Sequence, residues 1–270
     1  MRWKYFYASV KGTSHEKTNT LKQDSCSVEN VEINNENYLV IAVADGAGSA
    51  KKSDISSKYI CRLFTKNAQQ WLKDNNINDL TREVVTEWFN YFQKVLNRLI
   101  KIYKLDSIRD FATTLLFAIL GEDCNVFVQI GDGIIAVDFG SGLDCVFQPQ
   151  NGEFLNTTRF ATESDAPNIF MYKVTNGNIL KFVMHTDGIE QIGFDFAKQK
   201  PFSPFFNPFF NALENSKNFG MQENLSKQLA NFLNSNRVNS KTDDDKTLII
   251  ACNSNFIKNN EKVDSANEHL

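Results

Sequence analysis

Carboxylates recur at the ends of apolar runs in this chain. Tyr38 to Ala44 ends in Asp45-Gly46, Val126 to Ile130 runs into Gly131-Asp132-Gly133, and Leu180 to Met184 runs into His185-Thr186-Asp187-Gly188. A fourth run reverses the order, with Asp243-Asp244-Asp245 preceding Thr247 to Ala251. Short apolar runs beside glycine read as buried strands. Carboxylates at such strand ends can meet at one sheet edge, where they repel and cannot all stay ionised without cations. Hard divalent metals, which take oxygen ligands, resolve that crowding. A lone Asp-Gly is an ordinary turn pair. Three of them after strands, with an acidic cluster before a fourth, point to one metal site.

The elements that must position these groups follow from periodicity. Residues 3–10 alternate like a strand, and residues 11–24 are polar and loop-like, ending at Gln23-Asp24. Residues 38–44 form the strand before Asp45. Ser53 to Leu72 carries Ile55, Tyr59, Leu63, Ala68 and Trp71 near helical spacing, and Thr81 to Tyr103 repeats that pattern more strongly. Residues 112–120, 124–130 and 134–139 read as three successive strands whose short turns fit antiparallel pairing. Further strand-like runs lie near 168–174 and 179–186. Residues 199–210 hold three prolines and five phenylalanines. The prolines predict a loop, clamped to the body by aromatic burial rather than serving as a partner-docking motif. Met221 to Leu233 is a last short helix. Strands, two helices, many strands, a helix and a strand make an α+β order, not alternating β-α units.

The chain has 270 residues, with no internal repeat and no interior linker. Residues 1–255 are therefore expected to form one domain, and residues 256–270 a polar tail. A net charge of −3 without a basic stripe argues against nucleic-acid or anionic-membrane partners. No apolar segment approaches the ~20 residues needed to span a bilayer. The first residues lack the apolar core of a signal peptide. Five widely spaced cysteines read as reduced thiols, which places the protein in the cytoplasm. Residues 46–53 invite a phosphate-loop reading, but Lys51 stands where the second glycine belongs. No strand follows the first helix, so the dinucleotide-binding context is missing too.

The ordered set Gln23-Asp24, Asp45-Gly46-Ala47-Gly48, Ala112-Thr113-Thr114, Gly131-Asp132-Gly133, Thr186-Asp187-Gly188 and Asp244-Asp245-Lys246-Thr247 resembles the metal-dependent protein phosphatases of type 2C over about residues 5–252. The Asp-Gly-Ala-Gly-Ser-Ala-Lys form is similar to that of a bacterial subgroup whose members accompany a protein kinase and a von Willebrand type A protein. The resemblance implies two antiparallel β-sheets packed as a sandwich, flanked by helices on both outer faces. It implies two Mn²⁺ or Mg²⁺ ions at one end. Asp45 would bridge them, Gly46 would offer its carbonyl to one, and Asp187 and Asp244 would complete the other. Asp132 with Asp187 would hold a third, weaker ion. Asp24 would act at the metal-bound waters or as an outer ligand. Two ions roughly 3.5–4 Å apart bridge and acidify one water, and the resulting hydroxide attacks phosphorus directly. The implied function is a serine/threonine protein phosphatase acting on a phosphoprotein, with a cognate serine/threonine kinase.

The departures from the family pattern define alternatives. Many relatives carry an Arg shortly before the Asp24 position; here no Arg lies between Arg2 and Arg62, leaving His15, Lys17 or Lys22 to meet phosphate. A His after the first Asp-Gly serves some relatives as general acid. Ala47 stands there, and His15 and His185 are the remaining proton-donor candidates. Gln23 replaces a usual Glu. Thr247 aligns with the family's Asp-Asn-x-Thr and picks Asp244 as ligand; a register one residue later would pick Asp245. The alternatives are a weak or inactive member of the fold serving as a binding module, a phosphatase of small phosphoesters, and a nucleotide binder at residues 46–53.

Overall fold

Period-two burial sorts the strands into two layers. The structure, a computed structural model, describes residues 2–147 and 158–253. Its strands are β1 (Trp3–Val10), β2 (Ser25–Ile33), β3 (Glu36–Ala44), β4 (Leu115–Leu120), β5 (Cys124–Ile130), β6 (Ile134–Asp138), β7 (Asp144–Cys145), β8 (Met171–Asn176), β9 (Lys181–His185), β10 (Phe194–Asp195), β11 (Lys200–Pro201), β12 (Gly220–Met221) and β13 (Lys246–Asn253). Its helices are α1 (Thr13–Lys17), α2 (Ser53–Asp74), α3 (Arg82–Tyr103), α4 (Ala166–Ile169), α5 (Glu190–Gly193), α6 (Ser203–Glu214), α7 (Glu223–Leu233) and α8 (Asn236–Asn239). One sheet runs β2-β3-β4-β5-β8; the other runs β12-β1-β13-β9-β6-β7; β10 and β11 form a separate ribbon.

Along β3, Leu39, Ile41 and Val43 point between the sheets, where they meet Leu116, Phe127, Ile135, Met184 and Ile249. The alternate residues Val40, Ala42 and Ala44 face outward onto Ile60 and Phe64 of α2 and Phe89 and Phe92 of α3. On the other sheet, Phe6, Val183, Leu248 and Ile250 face outward onto Phe206 and Phe210 of α6 and Leu229 and Leu233 of α7. The result is helix, sheet, sheet, helix: the α+β class read from the element order, arranged as the sandwich that the family resemblance implies. Each large apolar side chain buried this way contributes roughly 1.5–3 kcal/mol. Phe64 adds edge contacts to Trp88, Phe89 and Phe117 at 5.6, 5.0 and 5.5 Å between centroids.

Four details differ from the sequence reading. β2 was not anticipated: it pairs along its whole length with β3 through a turn in which Asn34 and Asn35 have φ of 54° and 66°. Two consecutive positive φ values are the mark of a tight hairpin turn, and Asn tolerates them. Second, β4 and β5 pair, but β6 leaves for the other sheet and pairs with β9. Gly131 and Gly133, at φ of 97° and 91°, make that crossing. Third, residues 203–214 are helical, not a loop. Pro204 sits in the first turn, where its missing N–H costs nothing. Pro208 lies inside, yet Phe206, Phe210 and Leu213 bury the i, i+4, i+7 face that holds the helix down. Fourth, Thr13–Lys17 within the expected loop is a short helix. The expected tail, 256–270, lies outside the described residues. Among the described residues no helix is long and apolar enough to cross a membrane.

Candidate active site

The register of both sheets brings the acidic strand ends to one edge of the sandwich. Ser25 pairs with Ala44, so Asp24 and Asp45 leave their strands side by side. His185 pairs with both Ile134 and Leu248, which gathers the segments carrying Asp132, Asp187 and Asp244. Side-chain oxygens of Asp45, Asp132 and Asp187 lie within 4.8 Å of one another. The donors therefore come from both sheets and from the turn that crosses between them.

The backbone of Asp45 is braced by the Ala112-Thr113-Thr114 segment. Its N–H donates to Thr114 Oγ1 at 2.9 Å, and its carbonyl accepts from Thr113 Oγ1 at 2.9 Å and from the Thr114 N–H at 2.8 Å. Gly46 bridges to Thr113. Asp132 Oδ2 accepts from Thr158 Oγ1 at 2.7 Å. Asp24 Oδ2 accepts two hydroxyls, Thr186 Oγ1 at 2.8 Å and Thr247 Oγ1 at 2.7 Å.

Crowding and burial push these carboxyls up. Asp45 is raised well above the ordinary range by burial first, then by the charges of Asp24 and Asp187. Asp187 is pushed up to about 6 by burial and by Asp132. Asp24 is pushed up to about 7 chiefly by burial, against the two hydroxyls that favour its charged form. Asp244 is raised, burial leading. No Lys or Arg among the described residues forms an ion pair with Asp24, Asp45, Asp132, Asp187 or Asp244. Asp24 Oδ1 and Asp187 Oδ1 are buried without a hydrogen-bond partner. Orphaned, crowded carboxylate oxygens with no organic counter-charge fit hard divalent cations, and an all-oxygen donor set suits Mg²⁺ or Mn²⁺.

The two adjacent aspartates divide their work. Asp245 is buried, and its Oδ1 accepts from the Gly12 N–H at 2.7 Å and from His15 Nδ1 at 2.9 Å. Its Oδ2 accepts from the N–H groups of Gln23 at 2.5 Å and Asp24 at 3.2 Å. Asp245 thus ties the segment from Gly12 to Asp24 onto the start of β13. Asp244, half-buried, has Oδ1 on the Asp245 N–H at 2.7 Å. The Asp244–Asp245 backbone is clamped closely: a Cβ on Gly12 would lie 2.3 Å from the Asp244 carbonyl carbon, and one on Gly188 2.0 Å from the Asp245 oxygen.

Of the basic candidates, only His15 is tied to this acidic network by a side-chain bond among the described residues. Lys22 Nζ instead reaches Ser9, through its hydroxyl and, at 3.3 Å, its carbonyl. Lys17 is exposed at the end of α1. His185 is buried, stacks on Phe206 at 6.1 Å and bonds through Nδ1 to the Thr186 carbonyl at 2.8 Å. Burial lowers it to about 4, so it is a neutral core residue rather than a proton donor. Two residues escaped the sequence reading. Thr158 lies far along the chain from Asp132 and carried no signal. Glu190, pushed up to about 7 by burial and by Asp187 and Asp132, was legible as the carboxylate three residues after Asp187.

With this geometry in hand, comparisons place the chain. The family model described as protein phosphatase 2C matches residues 11–234. The chain is 33% identical over 260 residues to serine/threonine-protein phosphatase 3 of Escherichia coli (strain K12), covering 93% of this chain and 98% of that protein. Among solved structures it is similar to serine/threonine phosphatase Stp1 from Staphylococcus aureus, with TM-score 0.60, 12% identity, and 93% and 94% of the two chains covered. It is also similar to the catalytic domain of serine threonine protein phosphatase PstP in complex with two manganese ions, with TM-score 0.59, 13% identity, and 93% and 98% covered. The family match over most of the chain, together with the 33% identical relative covered almost end to end and the shared fold, means that this chain belongs to the protein phosphatase 2C family.

Proposed function

We propose that this protein is a metal-dependent phosphatase that removes phosphate from phosphoserine and phosphothreonine of a phosphoprotein. The carrying observation is the convergence of Asp45, Asp132 and Asp187 within 4.8 Å, with no Lys or Arg ion-paired to them among the described residues. The name of the Escherichia coli relative supports the same reading.

In this reading Asp45, Gly46 through its carbonyl, Asp187 and Asp244 would hold two Mn²⁺ or Mg²⁺ ions, and Asp132 with Asp187 would hold a third. When bound, the ions acidify water at neutral pH and offset charge on the phosphoryl oxygens. Asp24, fixed through Oδ2 by two hydroxyls, has a buried Oδ1 without a hydrogen-bond partner, the oxygen left to orient water. His15 is the proton donor. Asp245 accepts its Nδ1–H, which fixes the ring and leaves Nε2 to carry the proton that the departing serine or threonine oxygen takes. Lys246 Nζ is held at 3.1 Å by both Asn239 Oδ1 and the Asp244 carbonyl, so it braces the ligand loop from behind.

A serine/threonine kinase must make the substrate, and a cognate kinase in the same bacterial signalling circuit is the partner this reading assigns. All five cysteines are unpaired, which supports a reducing, cytoplasmic compartment. Hydrolysis of an aryl phosphate with Mn²⁺, Mg²⁺ or EDTA tests the proposal, comparing wild type with Asp45→Asn and Asp187→Asn. The expected result is activity that needs metal and disappears in both variants. A folded wild type inactive across metals and pH would refute it and leave a phosphate-recognition module.

A further inference from the structure

A groove of about 900 Å³ runs along the outer side of the β1 sheet, lined by Ile192, Phe194 and Phe196 on one side and Phe205, Phe209 and Phe232 on another. Phe196 and Phe202 at its rim are 50% and 41% exposed, an unusual state for rings this large. The base is held by ring contacts, Phe205 to Phe209 at 5.4 Å and Phe209 to Phe232 at 5.9 Å. The proline- and phenylalanine-rich helix α6 thus has two uses. Phe206 and Phe210 point into the core, whereas Phe205 and Phe209 line the groove.

The charge on this groove is one-sided. Arg237 and Lys241 line it, are exposed, and are in no ion pair among the described residues. The lining carboxylate, Asp195, is occupied by the Ala197 and Lys198 N–H groups at 3.2 and 3.1 Å and by the Lys198 ammonium at 3.3 Å. A protein of net charge −3 therefore presents uncompensated positive charge beside exposed aromatic rings.

The groove also adjoins the catalytic edge through the chain itself. Lys241 stands three residues before Asp244, and Ile192 five residues after Asp187. At most about 3.5 Å per residue puts the Lys241 Cα within roughly 11 Å of that of Asp244. The 3₁₀ turn Asp187–Ile189 and α5 carry the other wall. At about 1.5–2 Å per residue, Ile192 lies within roughly 10 Å of Asp187.

We propose that this groove docks a segment of the phosphoprotein substrate: an acidic stretch bearing a Phe or other large apolar side chain. An extended peptide advances about 3.3 Å per residue, so the anchor lies about three to six residues from the phosphorylated Ser or Thr. This inference deepens the phosphatase reading and rests on it.

The test uses the full chain with Mn²⁺ and a set of phosphothreonine peptides. Each carries one Phe flanked by two Glu, placed two to ten residues from the phosphate on either side. Matching peptides carry Ala for Phe, or Lys for Glu. The readout is kcat/KM for each peptide divided by that for para-nitrophenyl phosphate. Wild type should favour Phe-Glu peptides roughly ten-fold or more within a three-to-six-residue window on one side, the effect of a buried interface anchor. The Phe196→Ser/Phe202→Ser variant should lose the preference for Phe over Ala, and Arg237→Glu/Lys241→Glu should prefer Lys over Glu. Variants that keep the wild-type ratios, or a wild type with no positional window, would overturn the docking assignment while leaving the phosphatase reading intact. A wild-type dimer in sedimentation that these variants dissociate would also overturn it, assigning the groove to a second copy of the chain. Failure of wild type to hydrolyse para-nitrophenyl phosphate would remove the phosphatase reading and the groove's role with it.

Discussion

Asp245→Asn changes one atom in a carboxyl that is 2% exposed and receives four donors. A carboxylate is acceptor-only, so two oxygens suit four N–H groups; an amide offers one acceptor and one donor. With the new NH₂ toward Gln23 and Asp24, two backbone N–H groups lose their acceptor. With it toward Gly12 and His15, the imidazole can change tautomer so that Nδ1 accepts, and only the Gly12 N–H is stranded. The second arrangement is cheaper and should be adopted. One stranded buried N–H costs about 1–3 kcal/mol, and the bonds that remain lose their charge assistance. The expected destabilisation is about 2–4 kcal/mol. For a chain of this size that is a fall in Tm of roughly 5–12 °C. Urea and thermal unfolding in EDTA measure it without a metal contribution. His15→Gln removes one of the four donors, so the double variant should lose less than the two single losses summed, by about 0.5–3 kcal/mol. The variant also asks whether this chain needs Asp here because His15 sits beside it. A change below about 0.5 kcal/mol, or strict additivity with His15→Gln, would refute the assignment of Asp245 as the acceptor that anchors the Gly12–Asp24 segment.

Three further outcomes are expected. His15→Gln should slow hydrolysis of phosphothreonine peptides by about 10²–10⁴-fold but that of para-nitrophenyl phosphate far less, because an alkoxide needs a proton and nitrophenolate does not; equal losses on both would remove His15 as donor. Native Cys61, Cys145 and Cys252 should react slowly with a thiol-specific disulfide reagent at pH 8 and rapidly after unfolding. Burial raises Cys61 well above its ordinary value and pushes Cys145 and Cys252 up to about 12, and fast native reaction at any of the three would contradict this. His185 is lowered to about 4 from 6.5 by burial. A depressed folded-state value means that its stability contribution is present above pH 6.5 and is lost as pH falls through 4, a loss of roughly 3 kcal/mol. His185→Leu should flatten that part of the stability-versus-pH curve, and an unchanged acid limb would exclude His185 as its source.

The convergence of Asp45, Asp132 and Asp187 at one edge was legible because these residues are marked locally: apolar runs stop at Asp-Gly, and a strand that stops there puts its carboxylate at the sheet edge. The two long helices were legible for the same kind of reason, a strong one-sided period. What stayed hidden depends on partners distant in sequence. β2 escaped because its side chains are half-covered and its apolar residues change face midway: Cys26 and Val28 pack between the sheets, Val31 and Ile33 on the outer side, so no single period-two stripe runs along it. β6 read as a third hairpin strand because a short turn ordinarily means antiparallel neighbours, and only the positive φ of Gly131 and Gly133 sends it to the other sheet. In α6 the prolines outweighed a visible Phe206, Phe210, Leu213 spacing. Asp244 and Asp245 could not be separated by pattern, since what distinguishes them is four donors from residues 12–24, more than 200 positions away.

The crossing turn at Gly131-Asp132-Gly133 has a mechanical consequence. Asp24, Asp45 and Gly46 hang from one sheet, Asp187 and Asp244 from the other, and Asp132 from the strap between them. The distance between the two groups of carboxylates is thus set by the thickness of the layer of Leu116, Ile135, Met184 and Ile249 that keeps the sheets apart. That layer acts as a spacer whose bulk sets how far apart the acidic strand ends sit. A trimmed side chain there, such as Met184→Ala, would act on the acidic edge from within the core without touching any of its carboxylates. Were these carboxylates to hold ions as proposed, the same edge would also staple one sheet to the other.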